Sequence, residues 1–233
     1  MKDNIEGQYI GNRKIIIEIR FKAIASMLDK KGTLIEAIEK AKPFNIVQWE
    51  LGNEIVLRDH NEKEEATNVI VVSFNRISFI SWKIDSVESF YASFKKLYDA
   101  VVSVIGMLQV KRIGCRIIGT YKIKTNKFQD IVNNFKREFP ARFLVEQYPA
   151  KDFLFKLEYA NGMFQIGPFS SDDAFYDREF KGSNTIKHVG IVIDTDNYLT
   201  NETQSINDKE LIKDVFILSL SVEKDLYSNL ANL

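Results

Sequence analysis

The chain has 233 residues, long for one compact domain and sufficient for two half-sized units that share a core. Its 45% hydrophobic and 27% charged content is that of a globular protein and excludes a disordered chain. Lys and Arg number 32 and Asp and Glu also 32, so no global field draws the protein to nucleic acid or anionic lipid, although a local basic patch is compatible with that balance.

The single cysteine, Cys115, has no internal disulfide partner and reads as a small buried hydrophobe in a reducing compartment. The opening MKDNIEGQYIGNRK lacks an apolar signal core, and no run approaches the about 18 apolar residues of a membrane span. The expectation is a cytoplasmic protein with no membrane partner.

In chain order, Lys14 to Phe21 alternates, with Ile15, Ile17, Ile19 and Phe21 on one side, as a half-buried strand requires. A short turn-like helix near Ser26 precedes Gly32. Thr33 and Glu36 then read as a capping box for a helix that ends near Ala41, before Pro43. FNIVQWEL and EIVLR flank Gly52-Asn53 as a hairpin, and NVIVVSF and ISFISWKI flank Asn75-Arg76 as a second one. Asp85, with Glu88 three residues on, opens a long helix whose Phe90, Phe94, Leu97, Val101, Ile105 and Leu108 recur at helical spacing. That stripe is expected to pack on the sheet.

The second half repeats the order. RIGCRIIGTYKI buries Ile113, Cys115 and Ile117; Asn126 caps a helix carrying Phe128, Ile131, Val132, Phe135 and Phe139, ended by Pro140. FLVEQY, DFLFKLEYA and MFQIG follow, with Asn161-Gly162 as the turn between the last two. Residues 168–185 show no clean period and are expected to form a long loop, functional or mobile. KHVGIVID is the last strand, and Asn207 with Glu210 caps a final helix carrying Leu211, Val215, Leu218, Val222 and Leu226.

The expected fold is therefore α+β: two tandem β-α-β4-α repeats, residues 1–110 and 111–233, in one cooperative unit, with a curved antiparallel sheet and helices packed on one face. This element order resembles the TATA-binding-protein-like fold. The IIIEIRF strand, the ISFISWKIDSVESFYASFKKLYDAV passage, the KRIGCRIIGTYKI strand and the IVIDTDNY strand before a final helix also resemble a sporadically distributed, uncharacterised bacterial family of about this length. The resemblance implies a bacterial origin and a compact two-repeat fold. It carries no functional residue.

Arg20 and Arg116 occupy matched positions on the first strand of each half, so a pseudo-two-fold axis places both on one face, where their guanidinium forks suit phosphate or carboxylate. The competing explanation is cross-strand pairing with residues such as Glu18. Asp194 and Asp196, with His188 nearby, are the alternative reading as ligands of a divalent ion, set against the commoner role of two acids that solvate a strand end. Asp152, Lys156 and Glu158 have the wrong order for a nuclease site, and His60 and His188 lack a nucleophile partner. Gly106, Gly114 and Gly119 are too scattered to cradle a phosphate.

With no catalytic constellation and no motif that demands a cofactor, the first reading is a non-enzymatic interaction or regulatory protein. It would bind another protein through its sheet face and the 168–185 loop. The alternatives are a nucleic-acid-binding module using Arg20, Arg116 and Lys111-Arg112, and a small-ligand sensor or enzyme with a pocket between sheet and helices.

Overall fold

The computed structural model of the protein describes residues 13–63, 65–125, 127–139, 152–170, 172, 179–180, 188–200 and 208–231. Its first half runs β1 (Lys14–Phe21), a 3-10 turn (Ala25–Met27), α1 (Lys31–Ala41), β2 (Gln48–Leu51), β3 (Ile55–Arg58), β4 (Asn68–Ser73), β5 (Arg76–Ser81) and α2 (Val87–Ile105). Its second half runs β6 (Val110–Tyr121), α3 (Phe128–Glu138), β7 (Phe155–Tyr159), β8 (Gly162–Ser170), β9 (Val189–Thr200) and α4 (Asp208–Leu230). The nine strands form one sheet in the order β2, β3, β4, β5, β1, β6, β9, β8, β7, with every neighbouring pair antiparallel. The expected strand FLVEQY lies outside the described residues, so the second half contributes four strands here and the first half five.

Residues opposite each other in an antiparallel ladder share a side, so the register assigns the faces directly. Ile15, Ile17 and Ile19 lie opposite Ile117, Cys115 and Ile113 on β6, and Ile17 and Ile19 lie opposite Phe79 and Ile77 on β5. Leu34, Ile35 and Ile38 of α1, Phe90, Phe94, Leu97 and Val101 of α2, and Leu211, Val215 and Phe216 of α4 bury against this face. Ile131 and Phe135 of α3 pack with Tyr121, Ile166, Ile191, Ile193 and Leu230 on the same side. Helices α1 to α4 therefore cover one face, and the amphipathic stripe of α2 is core, as its spacing requires.

Element ends depart from expectation for local reasons. Helix α1 begins at Lys31, with Lys30 at its N-cap position and no side-chain cap, so Thr33 sits inside the first turn. It closes at Lys42 in the left-handed region (φ 48°), since the following Pro43 disfavours a right-handed helical residue before it. The cap of α2 is Ser86 rather than Asp85: its Oγ accepts from Ser89 N–H at 3.0 Å, and Ser89 Oγ accepts from Ser86 N–H at 3.2 Å. This reciprocal pair displaces the expected Asp85–Glu88 box by one residue. Leu108 lies beyond the helix yet stays buried. Two expected caps, Asn126 and Asn207, lie outside the described residues.

A buried polar cluster ties the start of β1 to α4. Arg13 Nε donates to Glu223 Oε1 at 2.9 Å, its Nη2 bonds the second oxygen, and the Tyr121 hydroxyl donates to Oε1. Gly119 makes this possible, because the Tyr121 ring folds over it and a Cβ there would overlap the ring. Since Arg13 is 5% exposed, removing the Glu223 carboxylate takes away a charge that compensates it in the interior. Glu223→Gln is expected to lower stability by about 3 kcal/mol in urea unfolding, and a loss under about 1 kcal/mol would contradict this arrangement.

Cys115 is fully buried on the helix face, and burial pushes its thiol up to about 12. Because the thiolate is the reactive form, the native protein is expected to resist a thiol-specific disulfide reagent at mildly alkaline pH and to react at once in denaturant. Rapid labelling of the native protein would place Cys115 elsewhere.

Candidate functional site

On the face away from the helices, the strands present Lys14, Ile16, Glu18 and Arg20 from β1, Arg76, Ser78 and Ile80 from β5, and Arg112, Gly114, Arg116 and Ile118 from β6. Strand β9 adds Val192, Asp194, Asp196 and Tyr198. It runs to Thr200, six residues past the expected end, so Asp194 and Asp196 lie within a strand opposite Ile118 and Arg116. The polar run DTDNYLT resembles a strand end only because its alternate residues meet the charged side of β6.

The register brings Arg20 and Arg116 to the same face, but their surroundings differ. Arg116 grips Asp194 with two hydrogen bonds of 2.9 and 2.8 Å, and Asp194 is 2% exposed. This bidentate pair commits Arg116 to the sheet. Arg20 is exposed and bonds Glu18, two residues back on the same strand, at 2.7 Å, so the pairing that competes with a binding role runs along β1 rather than across strands. Directly beside Arg20 stand Arg76 on β5 and Arg112 on β6, so three arginines run side by side across three adjacent strands. Like charges directly opposite are destabilising in a sheet. Glu18 and Glu54 bond Arg76 and relieve one end of the row.

Arg112 is different. Half-buried, it lies over the Tyr198 ring at 4.1 Å and makes no hydrogen bond or ion pair with any described side chain. It lines a cavity of about 210 Å³ with Ile16, Glu18, Arg20, Gly114, Arg116 and Asp196. Burial, with repulsion from Asp194 and Glu18, holds the Asp196 carboxyl above the usual range despite the attraction of Arg112 and Arg116. From sequence, Arg112 stands with Arg20 and Arg116 only in the nucleic-acid alternative, and the row with Arg76 is not expected. Arg76 reads there as a turn residue, and only the pairing register of β1 with β5 and β6 reveals the row.

The divalent-ion reading gathers no site. His188 precedes β9 and packs against Phe169 at 5.3 Å, six residues from Asp194, which is about 20 Å along a strand. Asp194 is occupied by Arg116, and among the described residues no group of three His, Cys, Asp or Glu side chains is placed to share an ion.

The segment expected as a loop at residues 168–185 begins as strand: Pro168, Phe169 and Ser170 pair with Ile191, Gly190 and Val189. Pro168 is tolerated on the β7 flank because β7 pairing ends at Ile166 and no described strand there needs its missing N–H. Further on, Phe180 buries with Ile118, Phe169 and Val192, against Trp82, so it covers one end of the otherwise open face. Glu179 reaches Lys14 at 3.0 Å and Arg116 at 4.0 Å, and its carbonyl accepts from Trp82 Nε1 at 2.6 Å. Most of the expected loop lies outside the described residues.

Next to the charged cluster, Ile16, Ile80, Val69, Val71 and Val56 form a half-buried aliphatic strip across β1, β5, β4 and β3, on the side opposite α1 to α4. A second cavity, about 370 Å³, lies on the helix side between the start of α2 and the strand ends. Phe44, Phe79 and Phe90 stack there, but the Asp59 carboxylate is filled by Thr67 N–H, Thr67 Oγ1 and Asn68 Nδ2 at 2.9, 2.6 and 2.8 Å. Burial alone would raise its pKa, yet these bonds lower it, so it acts as an anchor for the hairpin.

No protein-family model matches the chain, and no curated protein matches it. No described helix is long and apolar enough to cross a membrane.

Asp196 gives a test of the site's electrostatics. A carboxyl whose folded pKa is raised favours folding most below its unfolded pKa, and that contribution disappears as pH rises through the raised value. Asp196→Asn is therefore expected to melt higher than wild type at neutral pH, with the gap closing near about pH 4. A lower melting temperature for the variant at neutral pH would mean that attraction to Arg112 and Arg116 outweighs burial.

Proposed function

We propose that the chain is a non-enzymatic bacterial interaction protein that binds another protein through the sheet face opposite its helices. The observation that carries this reading is the aliphatic strip of Ile16, Ile80, Val69, Val71 and Val56 beside the arginine row, on a face that α1 to α4 leave bare. A sheet stabilised from one side has no structural need for a half-exposed apolar strip on the other, whereas a partner interface has an apolar centre with a charged rim. The strand order supports the reading of two related units. β1 and β6, the first strand of each, pair at the centre, and the remaining strands run outward from them in matching order. An axis through the Glu18–Gly114 pair exchanges Arg20 with Arg116.

The cluster's chemistry favours a protein over nucleic acid as the partner. Glu18, Glu54, Asp194 and Asp196 stand among the arginines, so a phosphate backbone tracking across the face meets carboxylates as often as guanidinium groups. Recognition here belongs to the described sheet face. The 168–185 segment contributes Glu179 and Phe180 as a partial cover.

Val71→Glu introduces a charge into the strip without touching the core. Wild type and variant, immobilised at equal density in native lysate and compared by quantitative mass spectrometry, are expected to share their background but differ in the specific partner, with recovery falling about tenfold or more. Equal recovery of every protein by a folded Val71→Glu variant would remove the open face from the binding account.

A further inference from the structure

We propose that Arg112 and Arg20 form a carboxylate-binding site on the open face, which takes an acidic side chain or the C-terminal carboxylate of a partner's peptide segment. This deepens the reading of that face as a protein-binding surface and rests on it. The argument begins with Arg112, whose guanidinium carries five N–H donors that bond no described residue. At this half-buried position beside the cavity the donors stay open to a ligand that replaces water. Tyr198, stacked beneath at 4.1 Å, orients the planar group and limits the freedom that ligand binding would otherwise have to remove.

The neighbours define the ligand. Arg20 lies directly across the β1–β6 ladder from Arg112, and both line the 210 Å³ cavity. Arg116 lines it too, but two of its donors are engaged by Asp194, whereas Arg20 spends only Nε on Glu18, so the Arg112 fork and the remaining Arg20 donors are left to meet an anion. The same cavity contains Glu18 and Asp196. A phosphate dianion would be repelled by both, while a singly charged, planar carboxylate fits the fork of Arg112 with Arg20 alongside. Glu18 and Asp196 then accept from the amide N–H groups that flank a carboxylate on a peptide. Ile16 forms part of the wall and leads to the aliphatic strip, which continues the peptide's path.

The cost of the arrangement points the same way. Arg76, Arg20 and Arg112 are set directly opposite one another in neighbouring strands, and Asp196 is desolvated among them. Neither feature aids the sheet, and the repulsion within the arginine row is relieved when an anion binds between Arg20 and Arg112.

The test uses the full chain with three probes: an acetylated, amidated peptide of alternating Glu and Ser; a Gln and Ser peptide with a free C-terminal carboxylate; and a single-stranded oligonucleotide. Arginine Nε–H signals are followed by NMR titration in low salt. One or both peptides are expected to shift the Arg112 signal saturably, with a Kd of about 1 mM or tighter, and which peptide does so identifies side-chain or terminal carboxylate. Arg112→Gln should weaken binding about tenfold or more, and Arg112→Lys, which keeps the charge but loses the fork and the stack, should fall between. Tyr198→Leu, which leaves every charge in place, should also weaken it. Absence of saturable shifts with both peptides, unchanged affinity in Arg112→Gln, or tighter binding of the oligonucleotide than of either peptide would overturn the site. Capture of a partner that depends on Val71 but not on Arg112 would overturn the carboxylate site and leave the open-face reading standing.

Discussion

The pairing of β1 with β6 is the constraint on which the rest of the structure depends. It joins the first strand of each half at the middle of the sheet, with Lys14 opposite Ile118 and Arg20 opposite Arg112. One ladder thereby sets both faces. On one side Ile15, Ile17 and Ile19 meet Ile117, Cys115 and Ile113 to form the floor on which α1, α2 and α4 pack. On the other, the same register aligns Arg20 with Arg112 and leaves Glu18 opposite Gly114, whose missing side chain leaves the space that becomes the central cavity. A slip of one residue would invert every side chain and destroy core and site together.

The interior reinforces that ladder from outside the sheet. Arg13, just before β1, and Tyr121, at the far end of β6, both bond Glu223 of α4, so the last helix clamps the two central strands. A buried ion pair of this kind contributes little to net stability compared with an apolar replacement, and its value lies in specifying one arrangement. Here the arrangement specified is the alignment of the two halves. The hydroxyl of Ser219, also on α4, adds a bond of 3.2 Å to the Cys115 carbonyl. Among the described residues the open face has no such reinforcement near Arg112. Among the described residues its one cover, Phe180 with Glu179, sits over Ile118 and Val192 and engages Lys14 and Trp82, and no other described residue covers the Arg20–Arg112 end or the aliphatic strip.

Much of the fold was legible because it rests on period and punctuation. Alternation identified β1, β6 and the core side of each, and the Phe90 to Val101 stripe identified the buried side of α2. Ends were harder, since a cap is chosen by competition among neighbouring polar residues: Ser86 prevailed over Asp85, and Thr33 capped nothing. β9 was read as ending at Asp194 because polar residues usually leave a strand. Tertiary pairing overrides that tendency when Arg116 waits across the ladder. The face shared by Arg20 and Arg116 was legible from strand parity alone. That Arg116 is consumed by Asp194, and that Arg76 and Arg112 flank Arg20 instead, depends on inter-strand register, which no local pattern encodes.

The register of β1 against β6 is therefore the most direct test of the account, and cross-strand NOEs in isotopically labelled protein measure it. The account predicts backbone contacts that place Ile16 opposite Arg116, Glu18 opposite Gly114 and Arg20 opposite Arg112. Contacts displaced by one residue, or a β1 that pairs with a strand other than β5 and β6, would contradict it, because the arginine row and the helix-side core would then not lie where they are described.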